Sequence, residues 1–384
     1  MKVLFVCNNA YNKGNGLSVA VLNTIKRLRD HGIDARLMAV RNPDPNGPQP
    51  DFPLEHFIFP IFEPVIAANG FCYAKIDRKR LNKAIDWADV VHFEEAMPVE
   101  EVAISIARKK GKACVATFHL FPHNVTANLG LPKVNPVNPL LMKYWNARVF
   151  NKCSDIHCPT LTCKQYLMAK RTKSRFHVIS NGIELSSERV VTEPYGDMSE
   201  IRLLCIGRLS NEKSQNTLID AMRYSKYAKK IRLIFAGNGP KADKYRKMAD
   251  KLYADGIVGH KPEFGFYSHE ELAELARKSY LYIHCAWVEV EGLSCLEATS
   301  AGAVPVIGEG RHIGTPQFAI CPESLYPFGD SKALAGRIDW WIEHPEERDR
   351  YSQAYADNAR NFNVEDSIKS LISMYETALA DSKR

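Results

Sequence analysis

No run in this sequence approaches the roughly 18 uninterrupted apolar residues that a membrane-spanning helix needs. No small-residue cleavage site follows the opening MKVLFVCNNAY, whose short apolar run turns polar at once; the pattern is that of a first β-strand rather than a signal peptide. CxxC pairs are also missing, so the evenly spaced Cys153, Cys158 and Cys163 lack the pattern of a zinc site. The ten cysteines are scattered through apparent strands and helices, as free thiols in a reducing cytoplasm would be. What remains is ordinary globular material, 45% hydrophobic and 25% charged, and 384 residues suit two domains better than one core.

Charge is spread unevenly. Residues 1–188 hold 25 Lys and Arg against 16 Asp and Glu, a net of +9, while the remainder holds 26 against 28, a net of −2; together these give the +7 of the whole chain. Basic clusters occur at Asp77–Arg80, at Arg108, Lys109, Lys110 and Lys112, and at Lys170, Arg171, Lys173 and Arg175. Such a face suits an anionic substrate, an anionic membrane surface or a nucleic acid. The clusters are not interleaved with aromatic stacking residues, which argues against nucleic acid.

Apolar runs alternate with helical patterns along the whole chain. KVLFVCN, DARLMAV, ADVVHF, ACVATFH, DIHCPT and FHVISNG are strand-like, and Val21, Leu22, Ile25 and Leu28 recur at helical spacing before Gly32. After Gly182 the pattern pauses in a polar stretch and restarts with IRLLCIGRL, IRLIFAGNGP, YLYIHCA and AVPVIGE. The expected fold is α/β: two facing, doubly wound Rossmann-like domains with a central cleft, residues 1–188 and 189–362. An amphipathic last helix, about residues 363–384, is free to pack back on the first.

Three glycine turns and four charged residues carry the chemistry. GNGLSV follows the first strand, but Val19 stands where a dinucleotide fingerprint has its third glycine, and Arg41 ends the second strand where an acid would hold a ribose. A phosphate-approach turn at Gly16 survives that test; nicotinamide binding does not. In the second half, Gly207 and Arg208 follow a strand and Lys213 precedes a helix, cations suited to a diphosphate. FAGNGP makes a tight turn at Gly237 and Gly239. EVEGLSCLEA then spaces Glu289 and Glu297 eight apart, with the backbone N–H groups of Gly292, Leu293 and Ser294 at a helix start.

The ordered set GRL…EK, AGNGP, GFYSHEEL, EVEGLSCLEA and AGAVPVI resembles glycosyltransferase family 4, retaining enzymes of the GT-B fold, and EVEGLSCLEA is similar to the versions in bacterial glycolipid synthases. FH at Phe118 and His119, VISNGIE and the first glycine turn extend the resemblance over nearly the whole chain. It implies that Arg208 and Lys213 bind the donor diphosphate, that Glu297 holds the ribose and that Glu289 contacts the transferred sugar. It further implies that Gly292–Ser294 bind sugar and phosphate through their backbone, that Gly16 approaches the diphosphate and that His119 contacts the sugar on the acceptor side. Two departures stand out: the usual double glycine is Asn15-Gly16, and Glu291 replaces an aromatic residue.

With no Asp-x-Asp pair in a loop, no metal and no other cofactor are expected. The donor implied is a UDP-sugar, UDP-glucose or UDP-galactose. Two segments bear on the acceptor, the apolar, proline-broken residues 52–74 and the mixed apolar and basic residues 139–150. With the basic first half they point to a membrane lipid, such as diacylglycerol or ceramide, met by a cytoplasmic protein held peripherally on an anionic membrane. A saccharide or lipid-linked oligosaccharide acceptor is the alternative within the class. Sugar-nucleotide epimerisation and nucleic-acid binding are the alternatives outside it.

Overall fold

The computed structural model describes residues 1–12, 16–61, 63–68, 71–128, 130–131, 133–185, 190–196 and 198–383. The chain divides into two compact units. The first comprises Met1–Thr126, Leu131–Asn181 and Glu365–Arg384; the second comprises Ala127–Gly130 and Gly182–Val364. The boundary expected at residues 188 and 189 falls in residues 186–189, outside the described residues.

Strands of the first unit are β1 (Lys2–Val6), β2 (Asp34–Val40), β3 (Phe52–Leu54), β4 (His56–Phe57), β5 (Tyr73–Ala74), β6 (Val90–Phe93), β7 (Ala113–Thr117), β8 (Asp155–Cys158) and β9 (Arg175–Val178). Seven of them form one sheet in the order β3-β2-β1-β6-β7-β8-β9, parallel throughout. Every residue of β6, β7 and β8 is buried. Continuous rather than alternating apolar runs are what a strand covered by helices on both faces requires. Asp155, at the start of β8, is inside only because it is neutralised: Arg175 Nε and Nη2 donate to its carboxylate at 2.6 and 3.0 Å, and His177 lies at 2.7 Å.

The second unit contributes β10 (Ile201–Ile206), β11 (Ile231–Ala236), β12 (Glu263–Gly265), β13 (Leu281–His284), β14 (Val304–Glu309) and β15 (Leu325–Pro327), in the order β12-β11-β10-β13-β14-β15, also all parallel. Alternate residues feed opposite faces, as the two-residue period of a strand demands. Leu203, Cys205, Leu233 and Phe235 enter one core, and Leu204, Ile234 and Ala236 enter the other. In each sheet the chain winds outward one way, returns and winds the other way. The order therefore reverses between β1 and β6 and between β10 and β13, which places the natural binding crevice beyond their carboxyl ends.

The last helix, Val364–Ser382, returns to the first unit. Glu365 pairs with Arg27 and, at 2.9 Å, with His31, and Asp381 pairs with Arg175 at 2.9 Å. Of the segment expected as an apolar loop, residues 62, 69 and 70 lie outside the described residues; within the rest β3 joins the sheet edge, and β4 and β5 pair antiparallel. Phe57, Phe59, Tyr73 and Phe71 meet edge to face at 4.8–5.1 Å between ring centres, which leaves Phe59, Phe71 and Tyr73 half-buried and Phe57 exposed. Ile58 and Ile61 stay exposed. Among the described residues no helix is long and apolar enough to cross a membrane.

Candidate functional site

In the second unit the reversal of strand order brings two loops together. β10 runs into Gly207 and Arg208, and β13 runs into the segment that carries Glu289. Gly237, at the end of β11, has φ of 151°, and a Cβ there would lie 2.2 Å from the carbonyl oxygen of Gly207. A side chain at either FAGNGP glycine would separate the strand tips that hold Arg208, since a Cβ on Gly239 would stand 3.0 Å from the Arg208 Cγ. Arg208 is fixed from its other end too: its carbonyl accepts from Gln215 Nε2 at 2.8 Å.

Lys213 lies in the turn before the helix Asn216–Ala221 and forms an ion pair with Glu289. Next to it Ser214 adopts a φ of 49°, left-handed for a residue with a Cβ, a conformation kept only where the surroundings enforce it. Its hydroxyl donates to the carbonyl of Asn211 at 3.0 Å. Glu289 is held by its backbone, which pairs with His312 and Gly314 at 2.8 Å each. Burial opposes charge on both partners, yet their mutual attraction wins: the Lys213 pKa lies above the ordinary value and that of Glu289 below it. His284, at the end of β13, approaches Glu289 at 3.6 Å, while burial, reinforced by Lys213, pushes its ring down to about 4 and leaves it neutral.

Gly292 caps the helix Leu293–Ser300 with a φ of 86°, and a Cβ there would strike Thr315 Oγ1 at 2.4 Å. The first amides of that helix make the anion-ready end expected at Gly292, Leu293 and Ser294. Ser294 Oγ is steadied by Tyr282 OH at 3.0 Å, and Thr315 Oγ1 meets His284 Nε2 at 3.2 Å. Glu297 lies one turn further along the helix, and burial raises its carboxyl pKa. Glu291 is buried beside Gly292. From GFYSHEEL, Ser268 and Glu271 form a capping box on the helix His269–Arg277, a structural use of that motif.

In the first unit Gly16 opens the helix Gly16–Asp30, exposed, with nothing within 4 Å of where a Cβ would stand. Gly14 and Asn15 of the same turn lie outside the described residues. His119 follows β7, and its Nε2 meets Glu94 Oε2 at 2.7 Å. Glu94, just past β6, was not singled out by sequence reasoning, although an acid at the carboxyl end of the strand beside the reversal is the signal that could have found it. Burial works against its charge, but the N–H groups that His92 and His119 turn toward it outweigh burial and hold its pKa below the ordinary carboxylate value.

Beneath it runs a chain of hydrogen bonds whose direction is set at one end. The carbonyl of Ile179 can only accept, so His157 Nε2, 2.6 Å away, carries a proton and Nδ1 is left as acceptor. Thr117 then donates to His157 Nδ1 at 3.2 Å and accepts from His92 Nε2 at 2.7 Å, and Tyr375 of the last helix donates to His92 Nδ1 at 2.7 Å. Both buried rings are thus neutral donors and acceptors, in keeping with burial lowering His92 and bringing His157 to about 3. A further acid pair, Glu95 and Glu100, is bridged by Asn8 just past β1, whose side-chain amide donates to each at 3.0 Å.

Comparison with known proteins places these features in context. Residues 195–358 match the family model described as glycosyl transferases group 1, and residues 14–187 match that of glycosyltransferase family 4. Among solved structures, Alr3699/HepE from Anabaena in complex with UDP and glucose is 17% identical over 98% of this chain and 100% of that one, with a TM-score of 0.71. Sucrose-phosphate synthase from Thermosynechococcus elongatus is 16% identical over 99% of both chains, also at 0.71. The catalytic domain of cholesterol-alpha-glucosyltransferase from Helicobacter pylori is 41% identical over 42% of this chain and 99% of that one, with a TM-score of 0.38. The search of curated proteins gave no match.

Proposed function

This chain belongs to the family 4 glycosyltransferases of the GT-B fold, and on that footing we propose that it transfers a hexose from UDP-glucose or UDP-galactose to a membrane lipid, with retention of configuration and without a metal. The observation that carries the donor half is the cluster at the second reversal of strand order. Lys213 pairs with Glu289, which His284 approaches at 3.6 Å, and His284 meets Thr315 beside Gly292 at the helix start. Arg208 follows the neighbouring strand β10, in a loop frame that glycines at 207, 237 and 292 permit. That is a site built for a diphosphate. One structural neighbour bears on the nucleotide in its own right, since Alr3699/HepE was solved with UDP-glucose as well as with UDP and glucose.

In this reading Arg208 and Lys213 neutralise the charge that grows on the diphosphate as its bond to the sugar C1 breaks. Glu297 accepts hydrogen bonds from the ribose, Glu289 orients the sugar and holds Lys213 in place until the donor arrives, and His119 contacts the sugar on the acceptor side. The acceptor hydroxyl forms its new bond to C1 on the face the diphosphate leaves, and its proton passes to the departing phosphate oxygen. The two fixed cations supply the charge that a divalent ion would otherwise bring, so activity should survive a chelator unchanged; a loss restored by Mn²⁺ overturns that point. Support for the lipid acceptor comes from the +9 charge of residues 1–188 and from apolar side chains exposed there, Ile58, Ile61 and Leu140 among them. The free thiols fit a cytoplasmic protein at the membrane face.

The deciding experiment is UDP release by the purified chain with either UDP-sugar, with and without anionic vesicles carrying diacylglycerol or ceramide. Release that needs both one sugar and one lipid supports the reading, and NMR of the product then reads the anomer. Release with a soluble saccharide and no lipid replaces the acceptor while leaving the donor site standing.

A further inference from the structure

The helix Val137–Arg148 is apolar on two opposite sides. One side, which includes Met142 and Trp145, is buried in the first unit. The other carries Val137, Leu140 and Tyr144 at helical spacing, yet these are 42%, 65% and 47% exposed, and Val134 just before the helix is 93% exposed. An apolar stripe that faces outward beside Lys143 and Arg148 is the pattern of a helix that lies at an interface. The helix Leu161–Ala169 lies alongside, with exposed Met168: Asn146 Nδ2 donates to the carbonyl of Lys170 at 3.0 Å, and Thr172 donates to Asn146 Oδ1 at 2.8 Å. Between them is a cavity of about 240 Å³ lined by Lys143, Lys170, Asn146, Asn151, Pro139 and Met142.

Charge says what covers this face. From residue 102 to residue 183 the sequence has thirteen Lys and Arg and a single acid, Asp155. Asp155 is buried and already paired with Arg175 and His177, so this segment offers solvent no carboxylate of its own. Arg148 is paired with Glu101, but no ion pair is seen at Lys143 or Lys170 among the described residues, and a second copy would bring the same excess of positive charge against itself. We propose that the face formed by Leu140, Tyr144, Lys143 and Lys170 docks the protein on an anionic phospholipid bilayer. The apolar stripe enters the acyl boundary, while the two lysines, whose stems lie along apolar surface, reach headgroup phosphates. The inference rests on the lipid-acceptor reading and gives it a surface.

Flotation of the full chain with phosphatidylcholine vesicles, with and without phosphatidylglycerol, tests it. Wild type should float with the anionic vesicles alone. L140Q/Y144Q should abolish flotation, and K143Q/K170Q should weaken vesicle affinity roughly 30-fold, at about fivefold per basic residue near an anionic surface. All four side chains are exposed, so melting temperatures should hold. The control is R78Q/K79Q on the helix Arg78–Trp87, whose Arg80 reaches the carbonyl of Pro53 in β3. β3 is the opposite edge of the sheet from β9, roughly 29 Å away at about 4.8 Å per strand and beyond the reach of unscreened charge. Flotation there should match wild type.

Variants that float like wild type, or a control that loses as much as K143Q/K170Q, sink the face while leaving the lipid reading intact. A lipid-free dimer, seen by light scattering and dissolved by L140Q/Y144Q, makes a second copy the occupant and overturns the proposal. Wild type that floats with neither vesicle overturns it together with the membrane part of the proposed function.

Discussion

At the scale of single residues the chemistry turns on charges held ready at fixed points. Lys213→Met keeps the apolar stem and removes the ammonium; UDP release should fall by about 10²–10³, the range for losing one preorganised group facing a developing charge. It also leaves Glu289 without its cation, so the melting temperature should drop, whereas an unchanged rate would remove Lys213 from the donor site. In the proposed reaction Glu94 acts through His119, which it meets at 2.7 Å. Glu94→Gln should lower kcat roughly 10–100-fold with little change in KM, since small misplacement of a reacting contact costs that much. With His119→Ala added, the losses should not multiply, because the two residues work as one unit; full multiplication would mean that Glu94 is independent of His119. Arg208 and Lys213 could be proposed from sequence because their position is set by order along the chain. Glu94, His92 and His157 could not, because their partners lie on neighbouring strands and on the last helix.

Elements show the same division. Glycine turns announce themselves, and the positive φ at Gly237 and Gly292 accords with the turns expected there. Gly237→Ala should destabilise the chain by about 2 kcal/mol or more, because the strained φ and the 2.2 Å approach to the Gly207 carbonyl both resist a methyl group. A melt that shows no such loss would mean that the strand tips have room to part. Continuous apolar runs correctly signalled parallel strands. The antiparallel pair β4 and β5 was not legible, since both strands are two residues long and prolines and glycine break the two-residue alternation by which strands are recognised. The helix starting at Val137 has apolar residues that point both inward and outward and leave little amphipathic signal, so it was legible only through the mix of apolar and basic residues over 139–150 that suits an interfacial helix.

For the molecule as a whole, buried neutral histidines link folding to pH. His157, brought to about 3, and His284, brought to about 4, stay unprotonated in the folded chain, while the unfolded chain binds protons at each below about 6.5. At these two sites the unfolded form therefore holds more protons between those values, so each histidine removes about 1.4 kcal/mol per pH unit as pH drops from about 6.5 towards 4. The buried Glu95, Glu100 and Glu297, whose carboxyl pKa values burial raises, contribute in the opposite direction. Denaturant titrations from pH 7.5 to 4.5 measure the net slope. His157→Gln should shift it by one histidine's share, towards less loss at low pH, and a slope left unaltered would exclude His157 as a contributor.

Local order along the chain was enough to establish two α/β halves, the glycine turns, the cations at strand ends and the family to which they belong, since strand period, turn chemistry and motif spacing all act between near neighbours. Only the tertiary structure could decide that Glu289 clasps Lys213, that Glu94 braces His119, that the last helix completes the first unit through Tyr375, and that Leu140 and Tyr144 stay uncovered. Each of these depends on residues 25 or more positions apart meeting, or failing to meet, in space, and no short-range pattern encodes that.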